Sequence, residues 1–256
     1  KNNTRTGAVH IAKSIRERIT SQCTRSLLRC AICCGVAALL YTTKIAPLRW
    51  PGDWSVNGGG QGMGIPQGRV YGHWNYFLAI ESDLLNVARY IEPCTENYKA
   101  FSLELSRILL ASASEADVLL MELCRRLNPS AKADSIGKYK SVILGEFPGL
   151  AQFEVSIPRW GLSLTPWSAW AKDNRVPLWW TACNKVKHHR GSEFKRANLK
   201  NTLNSVAALF LVNLYFHKEE AESGILIPSP ELLRVNDQNY NGATVEGVDV
   251  EINYKL

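Results

Sequence analysis

The sequence predicts an all-α protein, an antiparallel bundle of four to five helices with a long aromatic-rich loop and an irregular C-terminal tail. Three observations carry this expectation. Apolar residues recur at three- and four-residue steps through most of residues 73–222. Residues 96–128 run without a glycine or a proline. The breakers that do occur gather between periodic stretches, above all in "FPGLAQFEVSIPRWGLSLTPWSAW". At 256 residues and 46% hydrophobic, the chain is long enough to bury a full core. Its 21% of charged residues and scattered aromatics exclude disordered and fibrous classes.

The first helix is read in "HWNYFLAIESDLLNVARYIE", with Trp74, Phe77, Leu78, Leu84, Leu85, Ala88 and Ile91 close to a 3.6-residue repeat; Pro93 stops it. A second, longer helix is expected over Glu96 to Asn128, and a third from Asp134 to Phe147 with Asp134 as N-cap. The stretch from Phe147 to Trp170 holds five large aromatics among its Pro and Gly residues. It should be an ordered loop lying on the domain with its rings packed. Pro177 opens a fourth helix that ends at Gly191, and a last long helix spans Phe194 to Glu222. Beyond Gly224 the chain reads as loop with a small hairpin around "VDVEINY".

Residues 1–72 stand apart, giving the division 1–72, 73–222 for the bundle and 223–256 for the tail. They hold ten Lys/Arg against two acids, while the rest of the chain is nearly neutral. The basic excess is therefore no sign that the bundle as a whole binds nucleic acid. Leu27 to Tyr41 is apolar but only fifteen residues long and contains Arg29, too short to span a membrane. With the Gly-rich linker Asn57 to Gly68, the segment reads as a disordered, targeting or foreign stretch. Seven cysteines without regular spacing argue against a disulfide framework and for a reducing compartment, the cytoplasm. Cys30-x-x-Cys33 lacks the second ligand pair that a zinc site needs.

The chemistry concentrates in "WWTACNKVKHHR", Trp179 to Arg190. On a helix Asn184 and His188 share a face, Lys187 sits beside them, and Trp180 lies one turn earlier as an apolar floor. His188 would transfer protons near neutrality and Asn184 would orient it or the substrate. Lys187 and Arg190 would hold a phosphate. His189, Lys195 and Arg196 would extend the basic patch, with Trp179, Trp180, Trp167 or Trp170 available for base stacking. The plainer reading is that these cations end an ordinary helix, where the dipole favours positive charge by about 0.3–1 kcal/mol each. No metal or cofactor is expected: the adjacent histidines point about 100° apart and no acidic or thiol partner is close in sequence. Arg107 and Glu115 are candidates to cross the bundle and orient His188 or Asn184; the alternative for Arg107 is a local pair with Glu104.

The run "HWNYFLAIESDLLNVARYIE … FSLELSRILLASASEADVLLMELC … PLWWTACNKVKHHR … ANLKNTLNSVAALFLVNLYF", roughly residues 73–217, resembles uncharacterised bacterial helical proteins of the HEPN superfamily. The resemblance implies an antiparallel helical bundle, often a homodimer. It further implies a metal-independent endoribonuclease of toxin–antitoxin or phage-defence type, with RNA as substrate and an antitoxin or defence protein as partner. The family hallmark is an Arg, a polar residue, then a His some four to six positions after the Arg. Here Cys183 and Asn184 stand where the Arg should be, and Arg190 follows the histidines. Asn184 and His188 carry over as the polar residue and the histidine. Other members of the superfamily are non-catalytic binding or dimerisation modules, which is the second function implied.

Overall fold

The computed structural model describes residues 70–173, 175–246 and 249–256. The apolar run Leu27 to Tyr41, the Cys30-x-x-Cys33 pair, the Gly-rich linker and the disordered, targeting or foreign reading all lie outside the described residues. The fold is mostly helical with a few small antiparallel strands. The helices are α1 (Gly72–Val87), α2 (Leu103–Leu127), α3 (Ile136–Glu146), α4 (Leu178–Glu193), α5 (Leu199–Phe216) and the short α6 (Lys218–Glu222).

Helix α5 forms the centre. Fifteen of its eighteen residues are buried, and beyond Asn204 it is buried all round, as a helix must be to sit inside a fold. Helices α1, α2 and α4 pack against it. On α1 the buried residues Trp74, Phe77, Ile80 and Leu84 form one stripe; Phe77 stacks on Phe210 at 5.3 Å. Two hydroxyls buried on α5 are answered from α2. Ser112 and Ser205 share a hydrogen bond of 2.7 Å, and the Thr202 hydroxyl donates to the Leu105 carbonyl at 3.1 Å. Each such pair removes a desolvation cost of about 1–3 kcal/mol.

Two long helices of the sequence reading are interrupted. The second begins only at Leu103: Glu96–Lys99 form a 3-10 turn, Ala100 is extended, and Ser102 caps α2 by accepting from the Leu105 amide at 3.1 Å. The break lets the Leu199 amide donate to the Ala100 carbonyl at 2.9 Å, tying the starts of α2 and α5 together. The last helix begins at Leu199, capped by Asn198, whose side chain accepts from the Asn201 amide at 3.0 Å; it pauses at His217 before α6. In α3 the capping position is Ser135, while Asp134 pairs with Lys138 at 2.9 Å.

The aromatic loop is ordered and packs its rings: Phe147 lies 4.7 Å from Tyr215, and Trp167 lies 4.4 Å from Trp170. It also contains what an all-α reading left out. Strands β1 (Val155–Ile157) and β2 (Leu162–Leu164) form a hairpin that pairs with β3 (Arg234–Val235) in the order β2-β1-β3. Val155, Ile157, Leu162 and Leu164 face the core and alternate with Ser156 and Ser163, a two-residue period too short to stand out from sequence. A second hairpin joins β4 (Tyr240–Glu246) to β5 (Asp249–Tyr254), in the region where "VDVEINY" predicts one.

The segment after Gly224 is bound to the helices. Glu81, 2% exposed on α1, accepts the backbone amides of Glu231, Leu232 and Leu233 at 2.8, 2.9 and 2.9 Å. One carboxylate thereby satisfies three amides that lie outside any helix. Leu226, Leu232, Leu233 and Tyr254 are buried in the same core, and the Trp74 indole donates to the Pro228 carbonyl at 3.0 Å. Glu81→Ala should lower stability by about 3 kcal/mol or more, because three donors lose a charged acceptor at once. Urea denaturation reads the loss, and limited proteolysis should cut first within residues 223–236.

Candidate functional site

Helix α4 fixes which of its residues can act. Trp179, Ala182 and Val186 recur at three- and four-residue steps and bury one face, and the Trp179 indole donates to the Pro166 carbonyl at 3.0 Å. That anchoring turns Asn184, Lys185, Lys187 and His188 to solvent. Asn184 and His188 stand one turn apart on the exposed face, and neither side chain has a hydrogen bond or ion pair among the described residues. Lys195, His189 and Arg190 are exposed as well.

The helix does not run evenly to Gly191. At His189 the backbone leaves helical geometry (φ −136°, ψ 40°) and a further turn follows the kink. Arg190 is thus out of phase with the Asn184–His188 face rather than an extension of it. Its guanidinium lies over the Phe194 ring, 5.2 Å from the centroid. Arg196 is paired with Glu193, and that hydrogen bond holds the Glu193 carboxyl below the usual carboxylate range.

Lys187 meets a group from another helix. Asp117 of α2 lies within its electrostatic reach, and its carboxyl also accepts a hydrogen bond from the Tyr139 hydroxyl of α3. Burial raises the Asp117 pKa, with the Tyr139 hydrogen bond and Lys187 opposing that rise. Beneath Lys187, burial pushes the Cys183 thiol up to about 11, and Lys187 opposes this only in part. Cys124 is likewise pushed up to about 11 by burial. Neither thiol is suited to nucleophilic work at neutral pH.

The tryptophans settle into two roles. Trp167, Trp170 and Trp179 are at most 2% exposed, with Trp179 edge-on to Trp167 at 5.2 Å, so they are core and cannot stack on bases. Trp180 is half-buried and edge-on to Trp179 at 5.7 Å, an apolar floor with one side in water.

The two supporting candidates lie elsewhere. Arg107 bonds Asp83 of α1 at 2.9 Å and Glu104 at 2.8 Å, and these partners raise its pKa further, Asp83 most. The local pair with Glu104 is present, and Asp83 extends it. Glu115 accepts from His73 Nδ1 at 2.5 Å, while His73 Nε2 lies 3.8 Å from Glu122. Arg107 therefore ties α1 to α2, as does Glu115; neither bonds Asn184 or His188. Among the described residues no group of three or more His, Cys, Asp or Glu is placed to hold a metal ion, and no helix is long and apolar enough to cross a membrane.

Sequence reasoning missed the cavities. One, about 520 Å³, opens at the first turn of α4 and is lined by Lys172, Arg175, Lys200, Asn201 and Asn204 with apolar neighbours. The other, about 450 Å³, lies between α1 and α2 beside Tyr90 and Arg107. Neither is lined by Asn184, Lys187, His188 or Arg190. The first had one faint signal, Lys172 and Arg175 close together before Pro177; Lys200 is brought to them only by the fold.

Comparison with protein-family models, with curated proteins and with solved structures finds no match.

Two measurements test this geometry. At pH 8 Cys183 should react with iodoacetamide on the order of 100-fold more slowly than an ordinary exposed thiol, following its smaller thiolate fraction, as read by mass spectrometry of the 178–193 peptide. Arg107→Ala should cost no more than about 1 kcal/mol in urea denaturation, because its ion pairs are half in water.

Proposed function

We propose that this chain is a HEPN-like helical protein that binds single-stranded RNA through the second half of α4. One observation carries the reading: Asn184, Lys185, Lys187, His188, His189, Arg190 and Lys195 are all exposed, within a stretch whose one acid, Glu193, is taken by Arg196. Residues 184–196 hold five Lys/Arg in a chain that is nearly neutral after residue 73. A cationic strip of this kind contacts phosphates, and the half-buried Trp180 offers a ring edge beside it. The strip lines neither cavity, which suits contact with an extended strand better than enclosure of a small substrate.

A metal-independent endoribonuclease is the second reading, favoured by the Asn184 and His188 side chains, which have no hydrogen-bond or ion-pair partner among the described residues. His188 would take the proton from a ribose 2′-hydroxyl, whose oxygen attacks the neighbouring phosphorus. The bond to the 5′ oxygen breaks, that oxygen takes a proton from water, and a 2′,3′-cyclic phosphate remains. Asn184 would orient the imidazole or the strand, and Lys187 would offset charge on the phosphate. A homodimeric antiparallel bundle, a cytoplasmic setting and an antitoxin or defence partner belong to the same proposal.

The binding reading is tested with the full chain and a fluorescent single-stranded RNA. Lys187→Glu combined with Arg190→Glu should weaken binding by about 10-fold or more and flatten its salt dependence. Ultraviolet cross-links should fall within residues 180–196. Unchanged affinity together with cross-links elsewhere would remove the proposal. Cleavage is tested in the presence of a metal chelator: turnover that His188→Ala abolishes while binding persists supports the second reading, and intact RNA with the parent chain rejects it.

A further inference from the structure

We propose that the cavity at the first turn of α4 binds a phosphomonoester attached to a small ring-bearing group. The site stands apart from the RNA-contacting strip: Leu178 and His188 are ten residues apart on one helix, about 15 Å along its axis.

The lining is one-sided in charge. Lys172, Arg175 and Lys200 contribute three cations, and among the described residues no Asp or Glu lines the cavity. Neither the Lys172 nor the Arg175 side chain has an ion pair among the described residues. A fourth cation is held close by, since Lys140 of α3 donates to the Lys172 backbone carbonyl at 2.7 Å. Like charges gathered around a concave surface repel one another, and a multivalent anion relieves that repulsion. A phosphomonoester carries close to two charges near neutral pH, whereas an internal diester carries one. A cluster of this density therefore favours the monoester.

The remaining walls describe the rest of the ligand. Asn201 donates its amide to the Arg196 carbonyl and Asn204 its amide to the Lys200 carbonyl, which leaves both Oδ1 atoms as acceptors for donors on a ligand. The same cavity is lined by Val176, 39% exposed, and Leu178, 69% exposed, apolar surface that a flat ring would cover. The volume of about 520 Å³ exceeds what a bare phosphate fills and lies in the range of small-molecule sites. A charged wall, two amide acceptors and an apolar wall fit a nucleoside monophosphate. The source of that group is either a free mononucleotide or the phosphorylated end of an RNA strand.

Isothermal titration of the full chain with 5′-AMP, adenosine and inorganic phosphate tests the proposal. AMP should bind with a Kd of about 1 mM or tighter, and at least about 10-fold more tightly than adenosine or phosphate alone. Lys172→Ala combined with Arg175→Ala changes only exposed side chains, and should weaken AMP binding by about 10-fold without shifting the thermal midpoint. Lys187→Glu with Arg190→Glu should leave AMP binding unchanged, which separates this site from the RNA-contacting strip. A 5′-phosphorylated RNA that binds the parent chain more tightly than its 5′-hydroxyl twin, with the advantage lost in the Lys172/Arg175 variant, assigns the strand end. Equal affinity of the two strands with AMP still bound assigns the free nucleotide. No heat with AMP at millimolar concentration, equal binding of adenosine, or an unaffected double variant would overturn the proposal.

Discussion

A helix that is in water only along one edge of its first turns must be covered almost all round, and α5 imposes that condition on the whole fold. Its apolar faces leave α1, α2 and α4 little choice but to surround it, since each has only one stripe to bury. Its polar side chains constrain the fit more sharply than its leucines do. Ser205 must meet Ser112 and Thr202 must meet the Leu105 carbonyl, so α2 and α5 have one register that leaves no donor stranded. Apolar packing tolerates small slips; a buried hydroxyl does not.

The segment after Gly224 is governed by the same logic applied to backbone. A stretch without regular structure can be buried only where its amides find acceptors, and Glu81 supplies three acceptances from one side chain. This is how a chain end rich in Pro, Asn and Gly comes to close the core beside α1 and α6. Arg107, held between Asp83 and Glu104, and His73, held by Glu115, join α1 to α2 at two other points. Residues that resemble catalytic assistants in one dimension act here as ties between elements.

Legibility in the sequence followed the range of the forces involved. Helical periodicity is local, so the stripes of α1 and α2 could be read directly; in α4 the shared face of Asn184 and His188 was legible, whereas Trp179, offered for base stacking, anchors the buried side with Ala182 and Val186. The break at residues 100–102 could not be read from periodicity, because it depends on the Ser102 cap and on an amide from Leu199, nearly a hundred residues away. The kink at His189 was hidden because Gly191, two residues on, was the conspicuous breaker. For the site, exposure of Asn184 and His188 was legible, whereas the electrostatic influence of Lys187 on Asp117 and the pairing of Arg196 with Glu193 were only half so. Glu193 lies three residues from Arg196, but Asp117 comes from another helix. The cationic cavity depends wholly on tertiary approach.

The indole cluster under α4 has an optical consequence. Trp167, Trp170 and Trp179 lie within 4.4 to 5.2 Å of a neighbouring ring in fixed, non-parallel orientations. Transition dipoles held so closely couple to one another, and their paired bands fall in the far-ultraviolet window used to gauge helix. Circular dichroism of this protein will therefore misstate its helical content. The same couplet reports selectively on the ground beneath the first turn of α4, and it will vanish when that turn loosens even if every other helix stays intact.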